Sequence, residues 1–269
     1  MLWELNREPD QAPQFQKLIN LPMGLMYGMA VYTTFRLPLA EYWIAQHVER
    51  LMDNAQHLGL PVSYTATEFQ QALIPHFQME RPVFRLTLVA DVAEYSDFYQ
   101  KPAKPARLLL AMREASGEAS MPVSLKSVDY VRTMPLVKHL GMADVIQLKK
   151  QARLQGFQEI LLAGGGKVRE ASTANILFIR NGQLCGPEPE RDACLPGISR
   201  QRILREAKVQ GIGIEDTAPV NLSELSQMQG AFLTNATKGI TPVARIDDVA
   251  FPWPESAEKI VNALAGCLN

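Results

Sequence analysis

The chain has 269 residues, a formal net charge of -1 and 47% hydrophobic residues. This length and apolar content suffice for a packed core in one large domain or two modest ones. The near-neutral charge excludes a broad electrostatic footprint for nucleic acid or an anionic membrane, so we expect neither partner, and any bound anion needs a local site.

The cysteines and the apolar runs bear on cellular location. The three cysteines include no Cys-x-x-Cys pair, which argues against a disulfide framework and favours a reduced, cytoplasmic setting. No early segment combines a basic flank, an apolar run and a small-residue cleavage site, and no window holds about 18 apolar residues. We therefore expect neither a signal peptide nor a membrane span.

The first part of the chain mixes short strands and helices. Residues up to about 40 are typical of strands and turns, and apolar side chains at helical spacing then predict a helix that ends near Gly59. The predicted elements are a strand at 31–36, helices at 41–58 and 67–77, and strands at 83–89 and 107–112.

A polar, small-residue stretch at 113–123 predicts a linker, and we expect an N-terminal domain of residues 1–117 and a C-terminal domain of residues 118–269. Without strict βαβ alternation, the elements indicate an α+β or mixed α/β class. The later predicted elements are helices at 142–155, 199–209 and 255–264 and strands at 159–163, 175–179, 231–233 and 243–246.

The Gly164-Gly165-Gly166 run predicts a hairpin turn with positive φ. It lacks the spacing and the Ser or Thr of a phosphate-binding P-loop.

A phosphorylated pyridine aldehyde used as a cofactor needs an amine to form a Schiff base and a partner for its ring nitrogen. Two side chains could supply these groups, although each also has a plain structural explanation. Lys126 has apolar or small neighbours, which would desolvate its amine and favour the neutral, nucleophilic form. A lone lysine beside a strand is, however, more often a surface residue. Glu170 could hold a protonated pyridine nitrogen, and in isolation it is an ordinary turn carboxylate.

Three segments could bind an anion. Ser199 is predicted to cap a helix whose exposed N–H groups would face the anion. The run 234–239 could wrap an anion with backbone N–H groups, and Arg50, near His47 on the first long helix, could clamp it with its planar fork. Taken singly, a capped helix, a solvent turn and a solvated helix face are the more common explanations.

In order and spacing these segments resemble the class IV, or fold-type IV, pyridoxal-phosphate family over about residues 27–246. Asp129 stands where that family usually has Asn, and Ser199 where it has Thr. The usual Asn-Gly hairpin near the start is replaced by residues 5–9. The matching segments are Tyr27-Gly28 through Arg36, His47-Val48-Glu49-Arg50-Leu51, Lys126-Ser127-Val128-Asp129-Tyr130, Glu170 through Asn175, Leu195 through Arg200 and Phe232 through Val243.

The resemblance implies a smaller N-terminal α/β domain, a larger C-terminal domain with a β-barrel-like core, pyridoxal 5'-phosphate as cofactor, no metal, and a homodimer. It implies that Lys126 carries the cofactor, that Arg50 binds its phosphate, that Tyr130 bonds its phenolic oxygen and that Glu170 meets its pyridine nitrogen. The other cofactor-binding positions implied are Gly197, Ile198, Ser199, Asn235 and Ala236.

Within the family, two segments are similar to aminodeoxychorismate lyases. Tyr32-Thr33-Thr34 resembles the Phe-Thr-Thr of some lyases, where aminotransferases typically have Phe-Glu or Tyr-Glu, and Asn235-Ala236 resembles the lyases' second phosphate loop. No Arg-x-His motif follows the strand at 83–89, unlike in D-amino acid aminotransferases.

The lyase resemblance implies conversion of 4-amino-4-deoxychorismate to 4-aminobenzoate and pyruvate, a step of folate biosynthesis. Lys126 and Thr34 would be catalytic, and Tyr27 and Tyr32 would contact the substrate. The alternative is a branched-chain or D-amino acid aminotransferase, and a non-catalytic relative is the less expected possibility.

Overall fold

The computed structural model describes residues 2–6, 14–18, 20–73, 82–99, 104–115, 121–215 and 219–268. The chain divides into two compact units. The first comprises Met1–Gly117 and Val137–Gly141, and the second comprises Glu118–Leu136 and Met142–Asn269. The return of residues 137–141 to the first unit has no counterpart in the predicted domains.

The first unit contains an antiparallel sheet of five strands in the order β2-β1-β5-β4-β3. Burial alternates along β3, so Val31, Thr33 and Phe35 face the interior. Helix α2 packs on β3 through an apolar stripe that includes Ile44 and Leu51. The elements are β1 (Leu2–Asn6), β2 (Gln14–Lys17), α1 (Met23–Met26), β3 (Ala30–Arg36), α2 (Glu41–His57), α3 (Ala66–Leu73), β4 (Pro82–Val89) and β5 (Arg107–Glu114).

Residues 138–140 run beside β3. Tyr32 donates its backbone N–H to the carbonyl of Lys138 at 2.9 Å, and Leu140 donates to the carbonyl of Ala30 at 3.1 Å. An antiparallel bridge joins Val31 to His139 between these two bonds. The backbone of Lys138 is therefore fixed against the edge of the first sheet.

The second unit is built on a larger sheet in the order β11-β10-β9-β12-β13-β6-β7-β8, with β14 paired to β13. Strand β6 is parallel to both β13 and β7. The elements are β6 (Val123–Asp129), α4 (Ala143–Leu154), β7 (Glu159–Gly164), β8 (Lys167–Ala171), β9 (Asn175–Arg180), β10 (Gln183–Cys185), α5 (Pro189–Asp192), α6 (Ile198–Val209), β11 (Ile214–Glu215), β12 (Gly230–Asn235), β13 (Gly239–Ile246), β14 (Val249–Ala250) and α7 (Glu255–Ala265).

Alternation along β7 divides the core of the second unit. Ile160 and Leu162 join a cluster with Val145 of α4, whereas Leu161 belongs to a cluster with Phe178. Each such fully buried side chain contributes about 1.5–3 kcal/mol relative to exposure. These two layers hold β6, β7 and β8 in register, and Glu170 lies on β8.

Most predicted elements are confirmed within a few residues, and the mixture of strands and helices is the expected mixed α/β arrangement. Positive φ is confirmed at Gly165 and Gly166, with values of 59° and 77°. Residues 74–77 of the predicted second helix lie outside the described part of the chain. In that part, no helix combines the length and hydropathy that crossing a bilayer requires.

The capping prediction for Ser199 is wrong. Helix α6 begins at Ile198 with Gly197 in the N-cap position, so Ser199 lies within the first turn. No side chain caps this helix start. The N-cap lies two residues earlier than predicted. Gly197 has the extended backbone that Ser199 was expected to adopt.

Candidate active site

Glu170 is a buried carboxylate in the second unit. Arg132 donates to its Oε1 from Nε at 2.7 Å and from Nη2 at 2.6 Å. The backbone N–H of Leu195 donates to its Oε2 at 3.2 Å. The side chains of Arg132 and Glu170 are 8% and 6% exposed, so this contact is an interior ion pair and not a surface one.

Asn175 connects Leu195 to the start of α6. Its Nδ2 donates to the carbonyl of Leu195 at 2.8 Å. Its Oδ1 lies only 1.8 Å from where a Cβ on Gly197 would be, so only glycine fits there. The first N–H groups of α6 have no acceptor within the helix and carry the positive end of its dipole. The helix start is therefore suited to bind an anion.

The turn between β12 and β13 lies next to this helix start. Thr234 pairs with Asn175 across β9 and β12, and its buried Oγ1 has no hydrogen-bond partner among the described residues. Asn235 uses its side-chain oxygen within the turn, where Oδ1 accepts from the N–H of Thr237 at 3.1 Å and of Lys238 at 2.9 Å.

These contacts link five residues into a continuous group, which we term the Glu170 cradle. Its members are Glu170, Leu195, Asn175, Gly197 and Thr234. It offers a carboxylate at one end and N–H donors with a free hydroxyl at the other. This donor set fits a ring nitrogen and a phosphate, respectively. Two predicted cofactor residues, Glu170 and Gly197, belong to the cradle. Ile198 and Ser199 begin the helix that follows Gly197, and Asn235 and Ala236 follow Thr234 in the chain.

The desolvated environment predicted for Lys126 is wrong. Its side chain is 37% exposed, and Nζ lies 2.9 Å from Oδ1 of Asp247. Asp247 also accepts hydrogen bonds from the backbone N–H and the hydroxyl of Ser127. The amine of Lys126 is therefore held in an ion pair by a turn carboxylate that the sequence did not associate with it.

Lys126 also lies far along the sheet from the second phosphate loop. Strand β13 pairs Gly239 with Asn235 at one end and Ile246 with Leu125 at the other. The seven residue steps from Gly239 to Ile246 correspond to roughly 20 Å of extended strand.

Tyr130 is engaged by α4. Its hydroxyl donates to Oδ2 of Asp144 at 3.2 Å. Burial, with a further contribution from Asp144, raises the pKa of Tyr130. The structure therefore gives this hydroxyl a partner on α4, whereas the resemblance implied a partner on the cofactor.

In the first unit, Arg50 reaches β3 from α2. Its Nη2 donates to Oγ1 of Thr33 at 3.0 Å, and the same oxygen lies 2.8 Å from Nδ1 of His47. Burial lowers the pKa of Arg50 to about 10, and the proximity of Tyr32 opposes this effect. Arg50 is thus a cation at neutral pH that has lost hydration, and an anion such as phosphate would stabilise it.

The opposite face of β3 carries Tyr32 and Thr34, since neighbouring strand residues point to opposite sides. The Nζ of Lys138 lies 4.7 Å from the centroid of the Tyr32 ring, and the Cζ of Arg85 lies 3.9 Å from it. Thr34 is the register partner of Arg85. An amine, a guanidinium and a hydroxyl therefore share this face of the first sheet.

The sequence patterns did not point to Lys138, because it belongs to no periodic run. It lies in the irregular segment shortly before the helix predicted at 142–155, and this position is the one feature of the sequence that could have drawn attention to it. Tyr27, by contrast, contacts the rings of Tyr95 at 5.0 Å and Phe98 at 5.3 Å and is 52% exposed.

The sequence profile of the family described as Amino-transferase class IV matches residues 30–246. The chain belongs to this family. Three predictions are confirmed: the family, that the protein is an enzyme, and the cofactor pyridoxal 5'-phosphate. Class IV aminotransferases are pyridoxal-phosphate enzymes, and solved structures with this fold hold that cofactor or its amine form.

Relatives of this class IV chain carry several names. A proposed branched-chain-amino-acid aminotransferase from Thermotoga maritima is 28% identical over 89% of this chain and 87% of its own. The branched-chain aminotransferase of Thermoproteus uzoniensis has a TM-score of 0.84 at 24% identity, covering 99% and 94% of the two chains. A candidate 4-amino-4-deoxychorismate lyase from Legionella pneumophila has a TM-score of 0.79 at 22% identity, covering 90% and 92%. The predicted fold class is thereby confirmed.

Proposed function

We propose that this class IV enzyme is a 4-amino-4-deoxychorismate lyase that forms 4-aminobenzoate and pyruvate for folate biosynthesis. The observation that carries the proposal is the position of Thr34, whose side chain shares a face of β3 with Tyr32, against which the Lys138 amine lies. A hydroxyl on the face that carries an amine can deliver a proton to a leaving group. The Tyr32-Thr33-Thr34 segment also resembles the lyases in sequence.

We infer that Lys138, and not Lys126, carries the cofactor. The amine of Lys138 lies 4.7 Å from the centre of the Tyr32 ring, on the face of β3 that also carries Thr34. Arg50, a cation suited to phosphate, belongs to the same unit and bonds Thr33 on the opposite face of β3. Lys126 is instead paired with Asp247, at the opposite end of β13 from the second phosphate loop.

Each polar group then has a distinct task. The bound cofactor ring withdraws electrons from the substrate carbon that bears the amine. The Lys138 amine removes the proton from that carbon, and the Thr34 hydroxyl protonates the departing pyruvate once its carbon–oxygen bond has broken. Loss of the proton from the substrate ring and of the pyruvate group from the same ring creates the double bond that makes it aromatic, so no second keto acid is required.

The remaining roles concern binding. In the second unit, the first N–H groups of α6, at Ile198 and Ser199, would bind phosphate, and Glu170 would accept a hydrogen bond from the pyridine nitrogen. In the first unit, Arg50 is a cation suited to an anionic group. Tyr32 contacts the substrate. A homodimer and a cytoplasmic location remain predictions from the family resemblance and the cysteine pattern.

An aminotransferase is the second candidate, and the names of the curated relatives favour it. Purified enzyme given 4-amino-4-deoxychorismate should form 4-aminobenzoate and pyruvate, whereas enzyme given a branched-chain or D-amino acid with 2-oxoglutarate should form little glutamate. Glutamate in the second reaction without 4-aminobenzoate in the first would reject the lyase and support the aminotransferase.

A further inference from the structure

Arg132 and Glu170 form an interior ion pair in which each side chain also has a contact to the backbone. Two of the three guanidinium nitrogens, Nε and Nη2, lie 2.7 and 2.6 Å from Oε1 of Glu170. Nη2 of Arg132 also donates to the carbonyl of Pro135 at 3.1 Å, which fixes the guanidinium to its own loop. Arg132 thus binds Oε1, and the backbone N–H of Leu195 binds the other oxygen, Oε2, at 3.2 Å.

The charge of Glu170 depends on the groups that face it. The nearby thiol of Cys194 is neutral, because burial, with a further contribution from Glu170, raises its pKa to about 12. Arg132 is a cation in direct contact with Glu170, and a carboxylate beside a guanidinium keeps its negative charge more readily. Without Arg132, a carboxyl group at 6% exposure would bind a proton more tightly, because burial disfavours its charged form.

We propose that Arg132 is a positioning residue that keeps Glu170 ionised and aimed, and so keeps the pyridine nitrogen of the bound cofactor protonated. This inference rests on the proposed contact between Glu170 and that nitrogen. A more basic Glu170 would take the proton shared with the ring, and the ring would then withdraw electrons less strongly. Arg132 thus acts on the reaction through Glu170, without touching the substrate.

The test loads the enzyme with cofactor carrying ¹⁵N in its ring and follows the ring ¹⁵N chemical shift against pH. In Arg132→Met the shift should move toward that of unprotonated nitrogen at neutral pH, and the titration midpoint should fall. Arg132→Lys keeps the positive charge but loses the planar guanidinium that places two nitrogens on Oε1. Its titration midpoint should therefore lie between those of the wild type and Arg132→Met. The control Arg153→Met removes an exposed arginine from α4 and should leave the midpoint unchanged.

The Glu170→Gln variant separates the two possible failures. If its ¹⁵N shift equals that of the wild type, the proposed role of Glu170 is wrong. If Glu170→Gln moves the shift and Arg132→Met does not, Arg132 has no positioning role and only this inference is overturned. Should Arg132→Met fail to fold, an unchanged midpoint in Arg132→Lys overturns the inference, and a lowered midpoint supports it.

Discussion

The surroundings of two lysines differ in a way that bears on catalysis. Lys126 lies within the regular strand β6, and its amine is 2.9 Å from the carboxylate of Asp247. Lys138 lies in an irregular segment, with its amine 4.7 Å from the centre of an aromatic ring. The ion pair of Lys126 must be broken before its amine can act as a nucleophile. The amine of Lys138 lies against Tyr32, on the face of β3 that also carries Thr34, and we therefore infer that Lys138 is the cofactor lysine, although the motif spacing favoured Lys126.

The largest expected effect separates these two lysines directly. Lys138→Ala should lower turnover by roughly 10⁴-fold or more, the scale on which an essential nucleophile acts, whereas Lys126→Ala should retain most activity. Borohydride reduction of the wild type, followed by peptide mass mapping, should place the cofactor adduct on Lys138.

An adduct on Lys126 would reverse this assignment. Lys126→Ala is the matched control for Lys138→Ala, because each variant removes one amine and leaves the other. Equal loss of the cofactor absorption band in both variants would show that neither lysine can be assigned from its surroundings alone.

The next largest effect concerns the stability of the second unit. Arg132→Met should destabilise the protein by about 3–5 kcal/mol, because it leaves a buried carboxylate without its cation. The double variant Arg132→Met with Glu170→Gln should recover a large part of this loss, because it removes the unpaired charge as well. Urea unfolding of the cofactor-free proteins measures both values, and an Arg132→Met midpoint equal to that of the wild type would contradict the expectation.

Neighbouring threonines on β3 allow a finer test of the first unit. Thr34→Val should reduce the turnover of 4-amino-4-deoxychorismate by about 10²-fold, as expected for loss of a proton donor, and should leave cofactor affinity unchanged. Thr33→Val removes the hydroxyl that bonds Arg50, so it should weaken cofactor binding by about 10-fold. Steady-state kinetics and cofactor titration distinguish the two, and the same pattern in both variants would mean that the two faces of β3 are not distinct in function.

The sequence predicted regular elements better than the partners of single side chains. The helix at 41–58 and the strand at 83–89 have a continuous apolar period, and the structure confirms both within one residue at each end. Glu170 and the helix after Gly197 belong to distinctive segments, and the structure brings them together through Leu195 and Asn175. The domain division leaves the segment 137–141 unforeseen.

Pairings formed by long-range contact could not be predicted. Asp247 is 121 residues from Lys126 and reaches it only because β13 and β6 are parallel neighbours. Lys138 contacts Tyr32 because residues 138–140 align with the edge of β3. Neither contact leaves a local pattern in the sequence, since each depends on the pairing of distant segments.

The smallest expected effect tests whether the Asp247 contact is purely structural. Hydrogen bonds from Ser127 and Lys126 outweigh the desolvation that acts in the opposite direction, so the pKa of Asp247 falls below its ordinary value of 3.8. A carboxyl whose folded pKa is depressed stabilises the protein above its unfolded pKa, and this contribution disappears as the pH falls through the folded value. Asp247 is 29% exposed, so Asp247→Asn should cost at most about 1 kcal/mol at neutral pH, and this cost should shrink as the pH falls through the folded pKa of Asp247. The two pH values to compare are therefore neutral pH and an acidic pH below 3.8. Urea unfolding at both pH values checks this, and the variant should keep full activity if Lys138 carries the cofactor. A large loss of activity in Asp247→Asn would instead connect Lys126 to the chemistry.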